Sequence, residues 1–115
     1  MNHPKVSVRE TLIILETLET LQERGERAAL ATVVRTSGST YRKEGAKMVI
    51  SEKGEMVGSI SAGCLEADVR EITPEVIRTG TPRLLRYDNT AAEDIIWGLG
   101  LGCNGVVEVF VEPVL

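Results

Sequence analysis

The chain has few of the residues that build common catalytic and nucleic-acid-binding sites. Its single histidine, His3, lies close to the first residue, so histidine-based acid–base chemistry and histidine-rich metal sites are disfavoured. Aromatic residues make up 3% of the chain and the formal net charge is −4, which argues against stacking platforms and against general affinity for nucleic acid. We therefore expect other residue types to carry the chemistry.

Cysteines and long apolar runs are also scarce. Two cysteines in 115 residues are too few for a disulfide scaffold. No apolar run approaches the ~18 residues of a membrane-spanning helix, and the first residues lack the basic-then-apolar layout of a secretory signal. The sequence predicts a soluble cytoplasmic protein with reduced thiols and with neither a membrane nor a nucleic acid as partner.

The order of helical and strand patterns predicts one α/β domain that spans residues 1–115. A capping box at Ser7–Glu10 opens a helix that ends at Gly25. A second helix opens near Cys64, breaks at Pro74 and resumes as far as Gly80. Short β-branched or alternating apolar runs predict strands at residues 28–34, 47–51, 56–60, 82–88 and 106–112. This order indicates a mixed β-sheet flanked by helices.

Each cysteine lies in a glycine-rich segment. We call these the Gly/Cys segments: residues 59–68 (SISAGCLEAD) and residues 98–105 (GLGLGCNG). Glycine allows positive φ and close approach of the backbone to a ligand, so two such segments predict one composite binding site. Cys64 is expected at a helix start, where the helix dipole lowers the pKa of a thiol. The alternative from the residues alone is an inert core cysteine.

A third segment, Arg35 to Lys43 (RTSGSTYRK), combines hydroxyls, a glycine and three cations. These donors suit a phosphate group, and a solvated polar loop is the alternative. Residues 100–105 match G-x-G-x-x-G, but a strand follows them rather than a helix, so we reject a dinucleotide site. Zinc shared across a dimer and a Cys64–Cys103 disulfide are both disfavoured.

Several ordered motifs then resemble one family. The segments RTSGSTYRKEGAKMVIS, GEMVGSISAGCLEADV, RYDNT and WGLGLGCNGVVEVFVEP resemble the XdhC/CoxI family over most of the chain. Its members are molybdenum-cofactor accessory proteins for xanthine dehydrogenase and related molybdenum hydroxylases. Two positions differ from the family pattern, since Ala62 and Asn104 stand where glycine is usual. Longer members continue into a C-terminal Rossmann-like domain, which we expect this chain to lack.

The resemblance implies a protein that binds the molybdenum cofactor (molybdopterin) as cargo and assists its sulfuration or insertion, rather than a turnover enzyme. It implies a xanthine dehydrogenase-like molybdoenzyme as partner, with a cysteine desulfurase as a further one, and the apolar first helix suggests a homodimer. The implied cofactor-binding residues are Arg35, Ser37, Ser39, Tyr41, Arg42, Ser61, Gly63, Cys64, Glu66, Gly100, Gly102 and Cys103.

No catalytic residue and no direct metal ligand is assigned, although a thiolate of Cys64 or Cys103 suits contact with molybdenum. Two alternatives stay open. One is an interaction subunit that docks on a partner without a small molecule, and the other is a dithiol redox protein that uses both cysteines.

Overall fold

The computed structural model describes residues 7–38, 40, 42–61, 63, 65–88 and 105–115. It contains two helices, α1 (Val8–Glu23) and α2 (Glu66–Thr79). Its strands are β1 (Ala28–Ser37), β2 (Lys47–Ser51), β3 (Met56–Gly58), β4 (Arg83–Asp88) and β5 (Val106–Pro113). The prediction of a single α/β domain is confirmed.

The strands form one sheet in the order β3-β2-β1-β5-β4. Every pairing in the described sheet is antiparallel, where the sequence indicated a mixed sheet. The difference follows from α2, which joins β3 to β4. These two strands run in the same direction, but they lie at opposite edges of the sheet and never become neighbours. The closing strand β5 inserts between β1 and β4 instead.

The helices cover opposite faces of the sheet. On one face α2 packs its Val69, Val76 and Ile77 against alternate residues of β1, β2 and β5. On the other face α1 packs Ile14 and Leu21 against the remaining residues of β1 and β2. The apolar run at the start of β1 is therefore buried on both sides, as its composition predicts.

Helix α1 begins with the predicted capping box. The Glu10 N–H donates to Ser7 Oγ at 3.1 Å, and the Ser7 N–H donates to Glu10 Oε1 at 3.4 Å. Its predicted apolar half is only partly buried, because α1 lies over β2 and β3 and contacts little of β4 and β5. Val8, Leu12 and Leu15 are 77%, 53% and 55% exposed. We call these three residues the α1 stripe.

Helix α2 runs through Pro74 without a break, so the predicted interruption is wrong. Proline cannot donate to the carbonyl four residues earlier, but the preceding turn has an additional bond. Thr73 Oγ1 donates to the Val69 carbonyl at 2.8 Å, and both residues are buried. Packing on the sheet outweighs the local cost of the proline. The helix ends at Gly80 with φ 69°, as predicted.

Candidate functional site

The antiparallel topology brings three segments of the sequence analysis to one end of the sheet. At this end, which we call the loop end, β1, β3 and β4 finish and β2 and β5 begin. Ser37 at the end of β1 and Asp88 at the end of β4 both pair with Val106, the first residue of β5. The Arg35–Lys43 segment and both Gly/Cys segments are therefore attached at the loop end.

Glu66, the first residue of α2, organises the start of the first Gly/Cys segment, to which it belongs. Its Oε2 accepts hydrogen bonds from the Ile60 N–H at 3.0 Å, the Ser61 N–H at 2.9 Å and Ser59 Oγ at 3.1 Å. Its Oε1 accepts from Ser61 Oγ at 2.5 Å. Ser61 Oγ in turn accepts from the Leu65 N–H at 3.0 Å. The carboxylate thus folds residues 59–61 back onto the start of the helix.

Glu66 remains ionised despite its burial. Burial alone would raise the pKa of this carboxyl group, but the hydrogen bonds from Ser61 and Ile60 outweigh it and hold the pKa below its ordinary value. Sequence reasoning treated Glu66 as a cofactor contact or as a helix-start acid. In the structure both oxygens are bonded to the loop, so this side chain shapes the segment that carries the other candidate residues.

Asp68 lies in the same first turn of α2 and contacts the edge strand β4. The Tyr87 hydroxyl donates to Asp68 Oδ2 and so joins the end of β4 to the first turn of α2. Burial of the ring raises the pKa of Tyr87 strongly, and the hydrogen bond to Asp68 and the charge of that carboxylate raise it further. The phenol therefore stays protonated and keeps its donor role.

In the Arg35–Lys43 segment, Arg42 pairs with Glu10 of the α1 capping box. The hydrogen bond from Arg42 is the main reason that the pKa of Glu10 lies below its ordinary value. Glu44 Oε2 accepts from the Thr36 N–H at 3.0 Å and from Thr36 Oγ1 at 2.9 Å. Sequence reasoning missed Glu10 and Glu44 as partners of this segment.

Half of the predicted cofactor-binding residues lie in the part of the chain that the structure describes. Arg35 and Ser37 are exposed at the end of β1, and Arg42 lies in the connection to β2. Gly63 has φ 102° and is exposed, and a Cβ there would meet nothing within 4 Å. The remaining predicted residues lie outside the described residues: Ser39, Tyr41, Cys64, Gly100, Gly102 and Cys103.

The described residues form neither a metal cluster nor a membrane span. No group of three or more His, Cys, Asp or Glu side chains within these residues is arranged to hold a metal ion. No helix that the structure describes has the length and apolar character needed to cross a membrane.

Solved and curated proteins resemble the chain in both sequence and fold. It is 41% identical over 97 residues to a Bacillus subtilis (strain 168) protein named as a probable xanthine dehydrogenase subunit, a match that covers 84% of this chain and 29% of the relative. It is 38% identical over 63 residues to the molybdenum cofactor insertion chaperone PaoD of Escherichia coli (strain K12), covering 55% of this chain and 20% of that protein.

A crystal structure of a xanthine dehydrogenase from Bacillus halodurans matches with a TM-score of 0.74 and 42% identity, over 88% of this chain and 30% of the other. The chain thus spans less than a third of the length of these relatives. Residues 21–88 match the XdhC and CoxI family. This confirms the resemblance given by the motifs, and the chain belongs to the XdhC and CoxI family.

Proposed function

We propose that this chain is an accessory protein that binds the molybdenum cofactor and assists its sulfuration or its insertion into a xanthine dehydrogenase-like enzyme. Family membership and the names of two relatives support this role. The observation that carries the proposal is the attachment of all three candidate segments at the loop end of the sheet. In this role the protein handles the cofactor as cargo and catalyses no turnover of it.

The three segments offer complementary chemistry to such a ligand. Arg35 and Ser37 are exposed and provide charge and a hydroxyl for the terminal phosphate. Arg42 adds a second guanidinium, provided that the phosphate replaces the Glu10 carboxylate as its partner. Peptide N–H groups around Gly63 suit the polar edge of the pterin, and the thiolate of Cys64 or Cys103 suits the soft metal centre.

Cofactor titration of three proteins tests this proposal: the wild type, Cys64→Ser and Cys103→Ser. Serine keeps the size of the side chain but replaces a soft ligand by a hard one, so we expect weaker binding, with the larger loss for Cys64→Ser. Circular dichroism melts of the same samples check the fold. Equal affinity in all three proteins would favour the interaction subunit, and loss of cooperative melting would mean that the cysteines are core residues.

Exposed apolar residues favour a protein partner in addition to the small ligand. The α1 stripe is exposed along one side of the helix, and Leu84 is 57% exposed on the edge strand β4. We propose that a second copy of the chain covers the α1 stripe in a homodimer. Light scattering at working concentration tests this, since Leu12→Lys should yield a monomer if the wild type is a dimer. A monomeric wild type would refute it.

A cysteine desulfurase is the further partner that this role requires if the protein assists sulfuration. A pull-down with the purified desulfurase of the same cell, with and without bound molybdopterin, tests this step separately from cofactor binding.

A further inference from the structure

A groove runs along α1 on the side of the helix that faces the edge strand β3. Its floor consists of the buried residues Leu21, Val49 and Ser51. Ile13 of α1, which is 43% exposed, and Val57 of β3 form its walls. The groove has a volume of about 290 Å³, which lies at the lower limit of the ~300–1,000 Å³ of small-molecule sites. It therefore suits individual side chains of a protein partner better than a whole small ligand.

Backbone groups at the outer side of β3 lie beside this groove. The Ser51 N–H donates to the Glu55 carbonyl oxygen at 2.9 Å, which makes this a hydrogen-bonded pair. Bonded and non-bonded pairs alternate along antiparallel strands, so the N–H and C=O groups of Met56 and Gly58 point away from β2. In the described sheet β3 has no strand on that side. An extended segment can pair with these groups, and its side chains on the α1 side then lie next to the groove.

The mouth of the groove is negatively charged. Glu16 of α1 and Glu55, which precedes β3, line the groove and are exposed. Neither carboxylate has an ion pair or a side-chain hydrogen bond with a residue that the structure describes. Arg24 also lines the groove, but its guanidinium lies 3.8 Å from Glu26 Oε2, which opposes its charge. Electrostatic complementarity therefore favours a partner with lysine or arginine at this position.

We infer that β3 and the groove dock an extended segment of a protein partner, in which apolar side chains are flanked by lysine or arginine. The backbone of the segment pairs with Met56 and Gly58, and its apolar side chains enter the groove beside Ile13. Its cations face Glu16 and Glu55. Because β3 spans only three residues, backbone pairing alone gives little affinity, and the groove and its acids must select the partner. This surface goes beyond the proposed function, since the segment needs no cofactor and does not contact the α1 stripe.

Titration of the wild type with the end-blocked peptide Lys-Thr-Val-Thr-Val-Thr-Lys, followed by nuclear magnetic resonance, tests the inference. In a strand its lysines and valines share one side. We expect shifts of the amide signals of β3 and of the groove residues of α1. The peptide with glutamate in place of both lysines should bind about fivefold more weakly or worse. Two N-methylated peptides test backbone pairing, one modified at both valines and the other at two threonines. Because N–H groups alternate sides, only one of them should lose affinity.

Variants of the protein test the acids and the apolar wall separately. Glu16→Gln and Glu55→Gln should each weaken peptide binding by about 1.5-fold to fivefold, the range for an exposed ion pair. Glu19→Gln is the matched control, because Glu19 is an exposed acid of α1 that does not line the groove. Ile13→Ser should weaken binding through the lost apolar contact, and melting temperatures measured in parallel show that each variant is folded.

Four results would overturn the inference. The wild type does not bind the lysine peptide, or it binds the glutamate peptide equally well. Glu19→Gln weakens binding as much as Glu16→Gln, or both N-methylated peptides bind like the parent. Light scattering adds a further test, because a wild-type dimer that Ile13→Ser converts to a monomer would mean that a second copy of the chain occupies the groove.

Discussion

Replacing Glu66 by alanine should destabilise the domain more than any other acid-to-alanine change on α2. The Ile60 and Ser61 N–H groups donate to its Oε2 at 3.0 Å and 2.9 Å, and these two residues are 1% and 6% exposed. Each buried N–H left without an acceptor costs about 1–3 kcal/mol, so we expect the loss of both acceptors in Glu66→Ala to lower the free energy of unfolding by about 2–6 kcal/mol. The total free energy of unfolding of a typical domain is about 5–15 kcal/mol, so this loss is a large fraction of it.

Glutamine at the same position should cost much less. Its amide oxygen can take the place of Oε2 and keep both N–H bonds, while its NH2 group faces Ser61 Oγ. That hydroxyl already accepts from the Leu65 N–H and can accept a second hydrogen bond. The charge assistance and the acceptor of the Ser61 hydroxyl are lost, but both N–H bonds are kept, so we expect Glu66→Gln to cost about 0.5–1.5 kcal/mol.

The two variants also differ from the wild type in their response to acid. The pKa of Glu66 is lowered in the folded state, so its contribution is present above the pKa of the unfolded state and is lost as the pH falls through the folded value. Glu66→Gln has no such proton to gain. Urea unfolding of the three proteins at neutral pH and at a series of acidic pH values measures both effects. The reasoning fails if Glu66→Ala costs no more than Glu71→Ala, or if Glu66→Gln retains the wild-type acid dependence at this site.

Two further predictions use matched pairs of variants. Gly58 and Gly63 both have φ 102°, but a Cβ on Gly58 would lie 2.4 Å from the Lys47 carbonyl oxygen, whereas one on Gly63 meets nothing within 4 Å. Gly58→Ala should therefore destabilise by about 2–4 kcal/mol and Gly63→Ala by about 1–2 kcal/mol in urea melts, and equal losses would contradict the steric argument. Arg42→Ala should weaken molybdopterin binding by about 1.5–3 kcal/mol if this side chain holds the phosphate. Glu10→Gln should strengthen molybdopterin binding, because glutamine preserves the capping box but releases Arg42. Calorimetric titration measures both affinities. If both variants change the affinity in the same direction, Glu10 and the phosphate do not compete for Arg42.

The sequence predicted correctly those features of the fold that depend only on neighbouring residues. The capping box of α1, the glycine that ends α2 and the apolar run of β1 each depend on neighbouring residues, and each lies where the sequence placed it. The predicted break at Pro74 failed because burial of Thr73 and its neighbours depends on packing, which one helix does not reveal. The antiparallel sheet was missed for a related reason, since strand order depends on where β5 inserts.

The contacts of the candidate site could not be predicted because they join distant parts of the chain. Arg42 and its partner Glu10 are separated by 32 positions, and Tyr87 and Asp68 by 19. Charge alone does not identify such pairs among 13 basic and 17 acidic residues. Sequence composition marked the candidate segments, but it did not reveal that Arg42 has Glu10 as a partner within the chain.

The acids near the loop end bear directly on how an accessory protein would hold its cargo. Glu66 and Asp68 lie within the first Gly/Cys segment, and the Glu10 carboxylate is paired with the Arg42 guanidinium. A ligand phosphate that binds Arg42 must displace the Glu10 carboxylate and tolerate the charge of the other acids, so part of the attraction from the cations is offset. A carrier has to release its cargo to the client enzyme, and binding in the presence of competing carboxylates favours release. On the proposed function, we therefore expect Glu10→Gln to bind molybdopterin more tightly and to transfer it to a cofactor-free xanthine dehydrogenase-like enzyme more slowly. Faster transfer by this variant, measured as the rate at which enzyme activity appears, would show that the Glu10–Arg42 pair has no part in release.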